Sequence, residues 1–270
     1  AGFIAENKFK SLASTYKSVV NQKLKKINKS LKQMEYKLLS DSDSDKYRLY
    51  GDLIMANLYQ LNDFTNNAEV YDYENDRQII ISLDGTKTLK DNANKFYKLY
   101  NKAKIARSKL TELVEDSHAK KEYLEQVLYS IESAETISEL REISGEVLED
   151  QTVNKTNKNQ FEIMKLELEN GDRIYIGKNN RQNDYIISKL AAEDDLWFHV
   201  QNCAGSHVLL KSQNVTDELI LRCAKLAKEY SRAKESTKAG VIYTKRKYLR
   251  KPPGAALGYV TYKNEKEIIV

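Results

Sequence analysis

Apolar residues recur along the first forty positions at steps of 3, 4, 3 and 4, through Leu24, Ile27, Leu31, Met34 and Leu38, with no Pro or Gly between Ile4 and Leu39. That period predicts a long amphipathic helix with a coiled-coil seam. DSDSD at 41–45 interrupts it and offers N-caps to a second, shorter helix over 46–61. In 68–84, β-branched and aromatic residues flank Glu74–Asp76, which predicts a two-stranded hairpin. From about Asn92 to Ile131 the 3–4 alternation returns through Ala103, Ala106, Leu110, Leu113, Ser117, Lys120, Leu124, Val127 and Ile131. Neither long helix can bury its stripe alone, so the two are expected to pair within the chain as an antiparallel hairpin, with 46–88 as a small head. Parallel pairing between two copies is the alternative. A short helix is expected over 136–148, followed by a polar linker over 149–160.

Beyond the linker the texture changes. Six of the ten glycines fall there, and strand-like runs appear at FEIMKLEL, RIYIG, LWFHVQ, HVLL, AGVIYT, LGYVTY and EIIV. One helix is expected over Thr216–Arg232 and a shorter one over 182–191. The fold class is therefore α+β: residues 1–150 form a coiled-coil arm with its head, and 151–270 a compact mixed α/β domain.

Composition adds limits. No apolar run reaches the roughly 18 residues of a membrane helix, so no membrane insertion is expected. The opening AGFIAENKFK is not a signal peptide and, lacking Met, reads as an internal start. Cys203 and Cys223 make no disulfide framework, which suits a reducing cytoplasm. The net charge of +5 divides into +7 over 1–40, −9 over 41–150 and +7 over 151–270. Residues 211–251 hold 12 basic and four acidic side chains, a field that favours a polyanionic partner.

Two stretches carry candidate chemistry. In 194–210, Trp197 and His199 should share one face of a strand and Phe198 and Val200 the other, with Gly205 and Ser206 turning the chain toward His207. His199, Cys203 and His207, with Asp194 or Asp195, have the residue types of a soft-metal site, but no C-x-x-C or H-E-x-x-H accompanies them. Cys203 as a nucleophile would need a lowered thiol pKa and an orienting group. The plain alternative is that Trp197 and one histidine are core. In 238–262, Lys245, Arg246, Lys247, Arg250 and Lys251 lie among Tyr243 and Tyr248, beside a Pro252-Pro253-Gly254 turn. Basic residues interleaved with aromatics suit phosphate neutralisation and base stacking. Lys211 and the helical Arg222, Lys225, Lys228 and Arg232 extend this basic surface. Phosphate-binding and nucleophile motifs (Walker A, G-x-G-x-x-G, G-x-S-x-G) do not occur, so neither an enzyme nor a cofactor is expected.

These residues resemble the NFACT family, some of whose Gram-positive members are named fibronectin-binding. NDYIISKLAAEDDLWFHVQNCAGSHVLL and GVIYTKRKYLRKPPGAALGYVTY look like its NFACT-R domain. YGDLIMANLYQL and NANKFYKLYNKAKIARSKL look like its coiled-coil and middle region. Asp195, Trp197, His199, Gly205, Ser206, His207, Lys251, Pro252, Gly254 and Gly258 fall on the family pattern, while Cys203 does not. The resemblance implies a non-catalytic, RNA-binding part of a ribosome quality-control factor. Its partners would be the large ribosomal subunit and tRNA. The family's N-terminal domain and helix-hairpin-helix region, with the Asp-Arg motif tied to tRNA recruitment, are expected outside these residues, so this chain should not tail nascent chains alone. The family name also implies an alternative, a surface-displayed adhesin that binds fibronectin.

Overall fold

The computed structural model describes residues 2–40, 44–148 and 162–270. The expected linker 149–160 and part of the DSDSD run lie outside them. Within the described residues the chain forms α1 (Gly2–Ser40), α2 (Ser44–Ala56), β1 (Asn67–Asp72), β2 (Arg77–Ser82) and α3 (Leu89–Ser133). Then come α4 (Ile137–Glu142), α5 (Ser144–Leu148), β3 (Met164–Glu167), β4 (Arg173–Ile176) and α6 (Asn180–Tyr185), which runs into a π-turn at Ile186–Leu190. The remainder is β5 (Leu196–Val200), β6 (Val208–Lys211), α7 (Asp217–Glu229), β7 (Gly240–Lys245), β8 (Leu249–Arg250), β9 (Thr261–Tyr262) and β10 (Lys266–Ile269). The fold is α+β, with α1 and α3 paired antiparallel.

The chain divides into two compact units, 1–27 with 119–270, and 28–118. In the first, Ala13, Tyr16, Val20 and Leu24 of α1 pack on Leu124, Val127, Leu128 and Ile131 of α3, and Leu140, Ile143 and Val147 close the cluster. Thr136 caps α4 through a capping box with Glu139, which satisfies backbone donors at both ends of the turn.

A six-stranded antiparallel sheet follows, in the order β10-β7-β5-β6-β4-β3. Alternation along β5 sends Phe198 and Val200 toward α7, where they join Ile174, Ile176, Val208, Leu210, Cys223, Ala224, Ala227 and Val241. Trp197, on the opposite face, packs with Ile187, Ile242 and Leu249. Helix α7 is capped by the Thr216 side chain and ends at Glu229, so Arg232, expected within it, lies beyond its end.

The second unit holds the head. Ile54, Ala68, Val70, Ile81, Leu83, Leu89 and Ala93 form its core. The β1–β2 register pairs Asp72 with Arg77, and Asp72 accepts hydrogen bonds from Glu74 N and Asn75 N to close the turn. Gly51 of α2 is required by close approach, since a Cβ there would meet the Tyr97 ring at 2.7 Å.

The expected α3 seam holds at Leu124, Val127 and Ile131, all buried, and departs at Ala106, Leu113 and Lys120. Leu113 is 54% exposed and Lys120 is also exposed, whereas Val114 and Lys121 turn partly inward. Stepping 4-3-4-3 from Leu110 reaches Val114, Ser117, Lys121, Leu124, Leu128 and Ile131. The opposite phase fits the sequence equally well, and packing selects between them.

Candidate nucleic-acid interface

The residues 194–211 are built around β5, the turn 201–207 and β6. Asp195 accepts from the Ala192 N–H at 2.7 Å and from Lys211 Nζ at 2.9 Å, fixing the turn into β5. Trp197 stacks on His199 with centroids 5.8 Å apart and 7° between planes. His207 stands edge-on to both Trp197 and His199, at 5.2 Å from each. The two histidines thus converge, on a face shared with Tyr262, 6.0 Å from Trp197. Burial drives the His199 pKa down to about 4 and that of His207 well below its ordinary value, because a cationic ring is poorly solvated there.

The turn is held from several sides. Gly205 bridges to Ser231, and a Cβ at Gly205 would lie 2.7 Å from Ser231 Cβ. Ser206 N–H donates to Tyr230 O, and His207 N–H donates to Asn183 Oδ1 at 3.0 Å. The Cys203 thiol pKa is raised by burial, the reverse of what a nucleophile requires. Among the described residues, no three His, Cys, Asp or Glu side chains are grouped as a metal site.

The basic candidates divide into two groups. Lys245 and Lys247 both reach Asp194, at 3.0 and 2.9 Å, and their hydrogen bonds hold its carboxyl pKa down, Lys247 foremost. Lys251 pairs with Asp184, and Arg232 pairs with Glu132 at 3.0 Å. Arg246 donates through Nε to Ile187 O at 2.7 Å, a contact that fixes the π-turn. Arg222, Lys225 and Arg250 are exposed and have no ion pair among the described residues. Tyr243 does not flank a free surface, because it stacks on Phe198 at 5.3 Å. Exposed rings are supplied instead by Tyr248, Tyr259 and Tyr262. Gly254, at φ +75°, completes the turn after Pro252 and Pro253.

Sequence reasoning missed a polar seam that joins this domain to the base of the helical hairpin. Lys178 pairs with Glu139 at 3.1 Å. Asn179 and Gln182 both donate to Glu142, at 2.9 and 3.0 Å. Asn180 and Tyr123 donate to the buried Glu146, at 2.9 and 2.6 Å. Burial raises the Glu146 pKa against these bonds. The Glu139-Glu142-Glu146 spacing was visible, but its partners lie some forty residues away in sequence.

This arrangement, a paired helical hairpin followed by a basic α+β domain with the Asp-Trp-His and Gly-Ser-His elements, is that of a known family. Residues 3–162 match the family model for NFACT N-terminal and middle domains, and residues 161–264 match that for the NFACT protein RNA binding domain. The chain belongs to the NFACT family. It is 35% identical over 261 residues to the Rqc2 homolog RqcH of Bacillus subtilis, covering 93% of this chain and 46% of that protein. It is 30% identical over 270 residues to the Rqc2 homolog RqcH of Streptococcus pneumoniae, covering 98% of this chain and 49% of that protein. The chain therefore spans about half the length of these relatives. Mouse coiled-coil domain-containing protein 25 matches over 102 residues at 28% identity, 35% of this chain and 49% of that protein. The solved C-terminal structure of the fibronectin/fibrinogen-binding protein from Streptococcus suis superposes with a TM-score of 0.76 at 27% identity, covering 97% of this chain and 94% of that one. Among the described residues no helix is long and apolar enough to cross a membrane.

Proposed function

We propose that this chain is a non-catalytic RNA-binding part of a ribosome-associated quality-control factor, and that it engages obstructed large ribosomal subunits carrying peptidyl-tRNA in the cytoplasm. The observation that carries this reading is the match of 161–264 to an RNA-binding domain over a stretch rich in lysine and arginine. Phosphate contacts supply most of the affinity of such a surface, and exposed tyrosines beside it offer stacking platforms for unpaired bases. Lys211, Arg222, Lys225, Arg232, Lys245, Arg246, Lys247, Arg250 and Lys251 are the candidate contacts. Those already paired with Asp184, Asp194, Asp195 or Glu132 must exchange a carboxylate for a phosphate. That exchange is inexpensive at the exposed pairs of Asp194 and Glu132, each of which contributes only about 0–1 kcal/mol.

A second reading follows from the likeness to the Streptococcus suis protein: the same basic surface binds fibronectin on the cell exterior. Binding of a short RNA by the intact chain, measured against salt and against excess fibronectin, separates the two. The RNA reading expects affinity to fall steeply with salt, to be indifferent to fibronectin, and to collapse when Lys245, Arg246, Lys247 and Arg250 are changed together to Ala. Saturable fibronectin binding without RNA binding would overturn it.

A further inference from the structure

A cavity of about 340 Å3 opens beside the turn that follows β5, a volume at the low end of small-molecule sites. Gly240, the first residue of β7, forms its floor. Gln201 lies opposite, since its N–H donates to Gly240 O at 2.8 Å. Glu267 of β10 lies two residues along, paired with Ile242. Gly240 has no side chain, and the place a Cβ would take is approached by Glu267 Oε1 at 2.6 Å and by Gln201 Oε1 at 2.9 Å. Two acceptor oxygens therefore converge over one glycine.

The rim carries the opposite sign. Arg232 and Lys238 both line the cavity. Arg232 is balanced by Glu132 at 3.0 Å, whereas Lys238 is exposed and has no ion pair among the described residues. Glu267 likewise has none among them, so the cavity holds one unpaired anion and one unpaired cation that do not neutralise each other. Cys203 in the wall adds no third charge, because burial raises its thiol pKa. Ala233 and Ala239 make the rest of the wall small and apolar. Two acceptors suit an ammonium group, and a lysine suits a carboxylate. A plain anion would face Glu267 and a polyamine would face Lys238, while a molecule with both charges meets each with its opposite.

We propose that this cavity binds a small zwitterion, of the free amino acid or short peptide class, with its ammonium over Gly240 between Glu267 and Gln201 and its carboxylate at Lys238. These three side chains lie outside the RNA contacts proposed above, and the site does not depend on them.

The test is equilibrium dialysis of the full chain against labelled L-valine and labelled glycyl-L-valine, whose side chain suits the apolar wall. N-acetyl-L-valine and L-valinamide, each lacking one of the two charges, serve as competitors. Saturable binding of at least one labelled probe is expected, the free amino acid if the charges are read close together and the dipeptide if they are read further apart. Both blocked compounds should compete about tenfold or more weakly than unlabelled probe. Glu267→Gln and Lys238→Gln, at exposed positions, should each weaken binding about tenfold. Glu267→Gln should also erase the discrimination against N-acetyl-L-valine, and Lys238→Gln that against L-valinamide. Gly240→Ala places a methyl group between two flexible side-chain ends and should abolish binding with little change in Tm. Lys234→Gln, on the same loop but outside the cavity wall, should stay within about twofold of wild type. No saturable binding of either probe up to roughly 10 mM, equal competition by the blocked compounds, or wild-type affinity in the Glu267, Lys238 and Gly240 variants would overturn the proposal and leave the RNA-binding reading standing.

Discussion

The side chain of Gln126, in the base of the helical hairpin, accepts the backbone N–H of Gly205 at 2.8 Å. One bond thus links helix α3 to the turn that carries the Gly-Ser-His element. Gly205 cannot be enlarged, because a Cβ would meet Ser231 Cβ at 2.7 Å and Val200 Cγ1 at 3.0 Å. Gly205→Ala should therefore cost about 1–3 kcal/mol through overpacking. Gln126→Ala should cost about 1 kcal/mol, leaving a buried donor without its acceptor. Thermal unfolding followed by tryptophan fluorescence reads both, since Trp197 lies in the same face. A Gly205→Ala protein as stable as wild type would contradict the tight turn.

Acid should weaken the domain through its histidines. The unfolded imidazoles take up protons near pH 6.5, whereas native His199 resists down to about 4 and His207 resists also. Between those values the unfolded chain binds more protons, so stability falls as pH drops from 7 toward 5. His199→Phe, which keeps a ring against Trp197, should flatten that dependence. An identical pH dependence of Tm in wild type and variant would show that the His199 ring titrates natively.

Glu146 acts in the opposite sense. Its native pKa is raised by burial, so its carboxylate is a growing burden as pH rises above about 4.5, the ordinary range for glutamate. Glu146→Gln keeps an acceptor for Tyr123 and Asn180 and should raise Tm at pH 8, with the gain vanishing at pH 5. Glu146→Ala should lower Tm at both, because those two donors lose their acceptor. A Gln variant less stable than wild type at pH 8 would mean that the carboxylate is net favourable in the seam.

The helical hairpin, the head and most strands were legible because their signals are periodic and local. What was not legible depends on tertiary contact. The 3–4 alternation of α3 admits two phases, and only packing places Val114 rather than Leu113 inward. Runs such as LGYVTY have strand composition, yet only Thr261–Tyr262 finds a partner. The basic residue types of the candidate site were visible, but the carboxylates of Asp184, Asp194 and Asp195 that engage four of its lysines were not. Tyr243 illustrates the same limit: its position among lysines suggested a stacking ring, and its partner is Phe198.

Whether the chain engages the ribosome is decided by co-sedimentation of the intact chain with purified large subunits bearing peptidyl-tRNA. Ribosome engagement predicts saturable co-pelleting that weakens with salt, as release of condensed counterions requires, and that excess fibronectin does not displace. No co-pelleting at low salt, alongside saturable binding to fibronectin, would contradict it.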